Sequence, residues 1–230
     1  MPIEIGLLLF PRVQQLDLTG PYEVFASLPG TCMHLPAATL APVTSATGLI
    51  LTPTVTLAAC PPLDVLCIPG GIGVNALLED DAVLDFVRRQ AATARYVTSV
   101  CTGALVLGAA GLLRGRRATT HWASHDFLAA FGAIPTRGRV VRDGNVLTGG
   151  GVTAGIDVAL TLAAELTSQA EAEAVQLQLE YAPAPPFTAG TPETAPPGVV
   201  ASVLAAAVAR QAERETLIAR VARNQGSVLF

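Results

Sequence analysis

Residues 3–10 form a nearly unbroken apolar run closed by Pro11. That is the pattern of a strand buried on both faces. Residues 63–68 repeat it and stop at Pro69-Gly70-Gly71, and residues 95–100 form a third run leading straight into Cys101-Thr102-Gly103. Between the runs the pattern turns helical. Residues 75–90 set Leu77, Leu78, Leu84 and Val87 among charges, which predicts an amphipathic helix. Gly20-Pro21 predicts a helix opening there and running through Ala26, because proline suits a first helical turn. Further helices are expected over about 104–110 and over 123–131, the second after a short strand near 117–119. An alanine-rich helix over 152–166 is apolar almost all round and should be buried. Residues 39–46 and 49–55 predict two strands around a turn at Thr47-Gly48, and the Asp143-Gly144 step predicts a hairpin over 140–147. Strand–helix alternation of this kind predicts an α/β fold, a doubly wound and mostly parallel sheet with helices on both faces.

The pattern changes after Tyr181. Residues 182–198 hold six prolines and read as a linker or surface strap. Residues 199–230 close the chain with a helical segment carrying Val203, Leu204, Val208, Leu217, Ile218 and Val221 among charges. The organisation expected is therefore a domain over 1–181, a strap over 182–198 and a terminal amphipathic helix. That helix must pack either on its own domain or around a second subunit.

Composition narrows the class. Of 230 residues, 51% are hydrophobic and 14% charged, which excludes disorder for most of the length. The net charge is −4, and no lysine is present. Nucleic-acid binding needs a basic face, so it is not expected. The uncharged run 96–113 is broken by Thr98, Ser99, Thr102, Gly103, Gly108 and Gly111 and reads as strand, turn and helix, not as a membrane span. The start, Met1-Pro2-Ile3-Glu4, lacks a basic leader. Cys32, Cys60, Cys67 and Cys101 show no Cys-x-x-Cys spacing. Both features suit a cytoplasmic setting, where disulfides are rare. Cys32, Cys60 and Cys67 read as packing residues without ligand geometry, and no metal is expected.

Candidate chemistry concentrates at strand ends, where open α/β sheets bind ligands. Cys101 stands at one such end, on a turn that should hold it exposed and strained. The following helix should lower its thiol pKa. The bland alternative is an inert buried cysteine. Asp17 follows the first strand and can face Cys101 if both strands are central. A carboxyl beside a thiolate would have its pKa raised and could pass a proton near neutrality; its plainer role is to cap a helix. Gly70, Gly71 and the triplet Gly149-Gly150-Gly151 also follow strands, where backbone N–H groups could hold an oxyanion. Ordinary tight turns are the alternative. His121 and His125 are four apart, but His121 precedes the expected helix, so a structural role is favoured.

The segments Ser99-Val100-Cys101-Thr102-Gly103-Ala104, Gly111 to Trp122, and Asp17-Leu18-Thr19-Gly20-Pro21-Tyr22-Glu23-Val24-Phe25 resemble the ThiJ/PfpI superfamily. Within it they are most similar to the isocyanide hydratases. The resemblance spans about residues 3–179 and implies a flavodoxin-like sandwich shared with class I glutamine amidotransferase domains. It implies that Cys101 attacks the terminal carbon of an apolar isocyanide and that Asp17 is general acid and base. Thr102 would orient Asp17 or the intermediate, and Val152 would wall the pocket. No cofactor or metal is implied, and a homodimer is. The protease-like branch carries histidine after the nucleophile, where this chain has Thr102. Regulators of the same superfamily add two helix-turn-helix units, which are missing here. Competing functions are glyoxalase or amide-hydrolase chemistry at the same thiol, a cysteine redox sensor, and a ligand-binding regulator fragment.

Overall fold

A computed structural model describes residues 2–227. The terminal helix expected to reach residue 230 therefore has its last three positions outside the described residues. The central sheet contains β1 (Ile3–Leu7), β2 (Thr31–His34), β3 (Val65–Ile68), β4 (Tyr96–Val100), β5 (Val140–Asp143) and β6 (Val146–Gly149). Their spatial order is β5-β6-β4-β3-β1-β2. All neighbours are parallel except β5, which pairs antiparallel with β6 through the hairpin anticipated at Asp143-Gly144. All four residues of β3 are buried, as a strand covered on both faces requires.

The helices are α1 (Gln15–Ala26), α2 (Asp81–Ala91), α3 (Gly103–Ala109), α4 (Ala154–Leu166), α5 (Gln169–Gln178) and α6 (Pro197–Ser227). One group packs α1 on α4 and α4 on α5. The other packs α2 on α3, with a 3₁₀ helix over Trp122–Phe131 against both α3 and α6. No helix among the described residues is long and apolar enough to cross a membrane.

Several boundaries differ from the pattern-based expectation. α1 starts five residues before Gly20, and Pro21 lies inside it. The buried set Asp17, Leu18, Val24 and Phe25 shows that packing of one helical face outweighs the preference of proline for the first turn. The helix expected over 75–90 is two pieces. A single turn, Val74–Leu77, ends before Asp80, whose side chain accepts from Val83 N at 3.1 Å and caps α2. The strands foreseen over 39–55 shrink to Val43–Thr44 paired with Ile50–Leu51. Residues 123–131 wind as 3₁₀, one residue earlier than expected, and stop at Gly132 with φ +71°.

α6 is docked in part on its own chain. Ala207, Arg214, Ile218 and Val221 are buried, whereas Val199, Val203, Leu204 and Val208 remain exposed. Residues 182–190 are exposed throughout.

The join between β4 and α3 has no room for a side chain at position 103. A Cβ on Gly103 would stand 2.0 Å from the Ile68 carbonyl oxygen. Gly103→Ala is therefore expected to lower unfolding stability by about 1–3 kcal/mol or more. Urea denaturation of both proteins measures the difference.

Candidate active site

Four adjacent strands deliver the site. β6, β4, β3 and β1 are consecutive neighbours, and their carboxyl ends lead to Gly150, Cys101, Gly70 and Asp17 in turn. Parallel pairing puts all four ends on one rim, at the kind of crevice where such sheets bind ligands.

Cys101 has φ +54°, a left-handed conformation that costs a non-glycine residue about 1–3 kcal/mol. Two bonds hold it there. Its N–H donates to Gly149 O at 3.1 Å, and its carbonyl accepts from Thr120 Oγ1 at 2.7 Å. The strain foreseen for this turn is present; the exposure is not. Cys101 is only 6% exposed. Nor is its thiol pKa lowered. Burial pushes it well up, and the negative charge of Asp17 beside it adds to the rise. The Thr102 N–H at the head of α3 pulls the other way without prevailing.

Asp17 has no exposed surface. Its Oδ2 accepts from Gly70 N at 2.9 Å. Its Oδ1 meets no nitrogen or oxygen donor among the described residues. Burial raises its pKa to about 7, against smaller opposing effects of the Gly70 N–H and the adjacent Cys101 thiol. Asp17 is thus more than a helix cap. The two groups foreseen from separate strands stand side by side, and both are biased toward their protonated forms.

Thr102 reaches Asp17 indirectly. Its hydroxyl accepts from Gly71 N at 3.0 Å and lies 3.3 Å from Gly71 O. Gly70 and Gly71 therefore act as a bracket rather than as an oxyanion cradle, because both N–H groups are already engaged. The same holds for Gly150, whose N–H donates to Arg139 O at 2.9 Å. Glycine is required at position 70: a Cβ there would lie 2.6 Å from Thr102 N and 2.8 Å from Asp17 Oδ2.

A cleft of about 740 Å³ adjoins this group, lined among others by Thr120, Trp122, Gly150, Val152, Thr191 and Pro192. Val152 is one of its walls. The proline-rich strap supplies another wall, a role its composition did not signal. Cys101, Asp17, Gly70 and Gly71 are not on the lining; Cys101 meets it through the bond between its carbonyl and Thr120. His121 and His125 do line the cleft. His121 caps the 3₁₀ helix, its Nδ1 accepting from Ala123 N at 3.3 Å, and burial together with Arg214 and Arg210 lowers its pKa.

Pattern reading missed Arg214. This α6 residue is 3% exposed. Its Nε donates to Asn75 Oδ1 at 2.9 Å and its Nη1 to Ser124 Oγ at 3.0 Å. No carboxylate forms an ion pair with it among the described residues. The guanidinium lies within the field of Cys101. A terminal helix thereby brings a buried positive charge toward the thiol. Its only sequence signal was an arginine on the stripe between Ala207 and Ile218. Cys32 also departs from expectation, since it lies with Glu4 and His34 instead of in plain packing.

The DJ-1/PfpI family model matches residues 4–165. The chain is 68% identical over 200 residues to the isonitrile hydratase of Pseudomonas putida, covering 87% of this chain and 88% of that one. A crystal structure of a ThiJ/PfpI family protein from Pseudomonas syringae superposes with a TM-score of 0.92 and 46% identity, covering 95% of this chain and 91% of that one. The DJ-1beta structure from Drosophila melanogaster shares the fold, with a TM-score of 0.71, 23% identity, and 78% and 98% coverage.

The charges around Cys101 predict opposite effects of two substitutions. Asp17→Asn removes a negative neighbour, so the thiol pKa falls. Arg214→Met removes a positive one, so it rises. The pH profile of Cys101 alkylation by iodoacetamide, followed on the Cys101 peptide by mass spectrometry, is expected to move down in the first variant and up in the second.

Proposed function

The chain belongs to the DJ-1/PfpI family, and from that membership and the Cys101–Asp17 geometry we propose that it is an isocyanide hydratase. It converts R–N≡C and water into an N-substituted formamide. Similarity to an isonitrile hydratase over most of both chains supports the reaction. The observation that carries the residue assignment is a buried carboxyl with a pKa of about 7 placed beside a strained thiol.

Cys101 Sγ bonds to the terminal carbon of the isocyanide. The thiol proton passes to Asp17 and from Asp17 to that same carbon, leaving an S-linked thioimidate. Water then adds to the carbon. Asp17 accepts one of its protons, and the nitrogen becomes N–H. The C–S bond breaks, the formamide leaves, and the thiol recovers its proton. Covalent catalysis thus divides one hydration into two easier additions. Thr102 serves as a positioning residue through Gly71, and Gly70 fixes the carboxyl. Arg214 offsets the negative charge as the sulfur gives up its proton. Val152 and the strap enclose the substrate's side group.

Amide hydrolysis at the same thiol is less well served. A tetrahedral oxyanion needs free donors, and the N–H groups of Gly70, Gly71 and Gly150 are all committed. The working unit is residues 1–181, with the strap over 182–198 closing the cleft and the segment 199–230 bringing Arg214. The exposed side of α6 at Val199, Val203, Leu204 and Val208 fits a homodimer contact. The ligand is a small apolar molecule, not nucleic acid, and the setting is the cytoplasm.

Cys101→Ala is expected to abolish formamide production from an alkyl or aryl isocyanide while the circular dichroism spectrum is retained; turnover by that variant would end the proposal. The pair must also hold one proton rather than two, so that one group can act as base. The sign follows from the raised pKa of Asp17. Below about 7 both groups are protonated and kcat/KM should fall about tenfold per pH unit; above it the rate should level off. A rate that climbs toward acid would contradict this assignment.

A further inference from the structure

We propose that Glu4, Cys32 and His34 form a binding site for a borderline divalent cation of the Zn²⁺ class on the edge strand of the sheet. The inference stands apart from the hydratase reading. β3 and β1 lie between this edge strand and β4, which carries Cys101.

Strand pairing builds the cluster. β1 and β2 are parallel, with Glu4 opposite Cys32 and Gly6 opposite His34. Alternate residues of a strand share a face, so the four positions form one patch. The space over Gly6 is taken by the Leu63 side chain, and His34 turns toward Glu4. Its Nε2 meets Glu4 Oε2 at 2.6 Å. The carboxylate oxygen, the thiol sulfur and the imidazole nitrogen all lie within 4.8 Å of one another. Zinc takes such ligands at about 2.0–2.3 Å in a tetrahedron, which places donors roughly 3.5 Å apart. The three atoms need move little to meet that spacing; the Glu4–His34 bond opens and the sulfur closes in.

The donor set selects the ion. One thiolate, one imidazole and one carboxylate suit Zn²⁺ or Co²⁺ rather than Ca²⁺ or Mg²⁺, which take oxygen shells. All three residues are partly exposed, so an ion has access and water can fill the fourth position. A simple Glu4–His34 ion pair explains two of the groups but gives no role to the Cys32 sulfur gathered with them. A bound cation would use all three, the sulfur losing its proton to solvent as the metal arrives.

Cobalt(II) is the probe, added to the full chain and to a Cys101→Ala chain. One equivalent per chain is expected to develop thiolate-to-cobalt charge-transfer absorption in both, and added zinc is expected to bleach it. Cys32→Ser on the Cys101→Ala background should remove the band. His34→Ala should weaken cobalt binding at least about tenfold, since even outer-shell losses cost that much. Circular dichroism checks that each variant folds, and the near-isosteric Cys32→Ser keeps the test valid if His34→Ala does not. Absence of the band in the Cys101→Ala chain, or its survival after Cys32→Ser, would overturn the site.

Discussion

A carboxyl and a thiol, both withdrawn from water, are held side by side at the rim of the sheet, and the surrounding structure serves that contact. Burial makes ionisation costly for each group alone. In the proposed reaction, a proton leaving the sulfur is therefore better placed on the neighbouring oxygen, and then on a substrate carbon, than released to solvent. The Oδ1 atom of Asp17, which meets no nitrogen or oxygen donor among the described residues, would carry that proton. Such an arrangement cannot relax easily. Gly70 presses its backbone against both Asp17 and Thr102, and Gly103 presses against β3. The left-handed turn at Cys101 is tied down at its N–H and its carbonyl. The apolar core of β1, β3 and β4 offsets the local strain.

Much of this was legible in the chain because it is local. Apolar runs ending in Pro or Gly mark the buried parallel strands, and strands that end on one rim bring Asp17, Gly70, Cys101 and Gly150 together. The strain at Cys101 follows from a strand meeting a helix without a spacer. The sign of its pKa was not legible. A helix N-terminus argues for a lower value, but burial and Asp17 are tertiary facts that outweigh it. Gly70 and Gly71 follow β3 as expected, and their N–H groups are engaged by Asp17 and Thr102. Which N–H groups are spent depends on the positions of Asp17 and Thr102 after folding. Pro21 misled for the same reason: its local preference yielded to the buried face of α1.

Arg214 shows the limit of local reading most clearly. Its partners Asn75 and Ser124 lie 139 and 90 residues away in the chain. Pattern alone makes α6 an amphipathic helix with charges on its outer side. In the fold, one of those charges points inward and joins the turn after β3 to the 3₁₀ helix. Gln211 reinforces the join by donating to the Ala123 carbonyl at 2.5 Å. The terminal helix thereby becomes part of the site's electrostatics. A cation buried among neutral partners is poorly solvated, so developing negative charge on sulfur is worth more to it than water would be.

The burial of Cys101 also bears on which substrate fits. An acyl carbon bears substituents on two sides and must become tetrahedral with an oxyanion held nearby. The carbon of an isocyanide is terminal, at the tip of a linear R–N≡C rod, and bears no substituent of its own. Such a tip asks for less room at the sulfur than an acyl carbon does, and in the proposed reaction the side group stays in the cleft beside Val152 and the strap. A thiol only 6% exposed is therefore a poor nucleophile for bulky carbonyl compounds and a sufficient one for an end-on carbon. Enclosure serves the second addition as well. Once the proposed thioimidate has formed, the site would have to admit one water near Asp17 and keep the rest away, because a wet site would weaken the electrostatic coupling between carboxyl and sulfur. Raised pKa values, a hidden sulfur and a cleft that stops short of it are thus consequences of one requirement: a proton must move between two groups and a carbon without passing through bulk solvent.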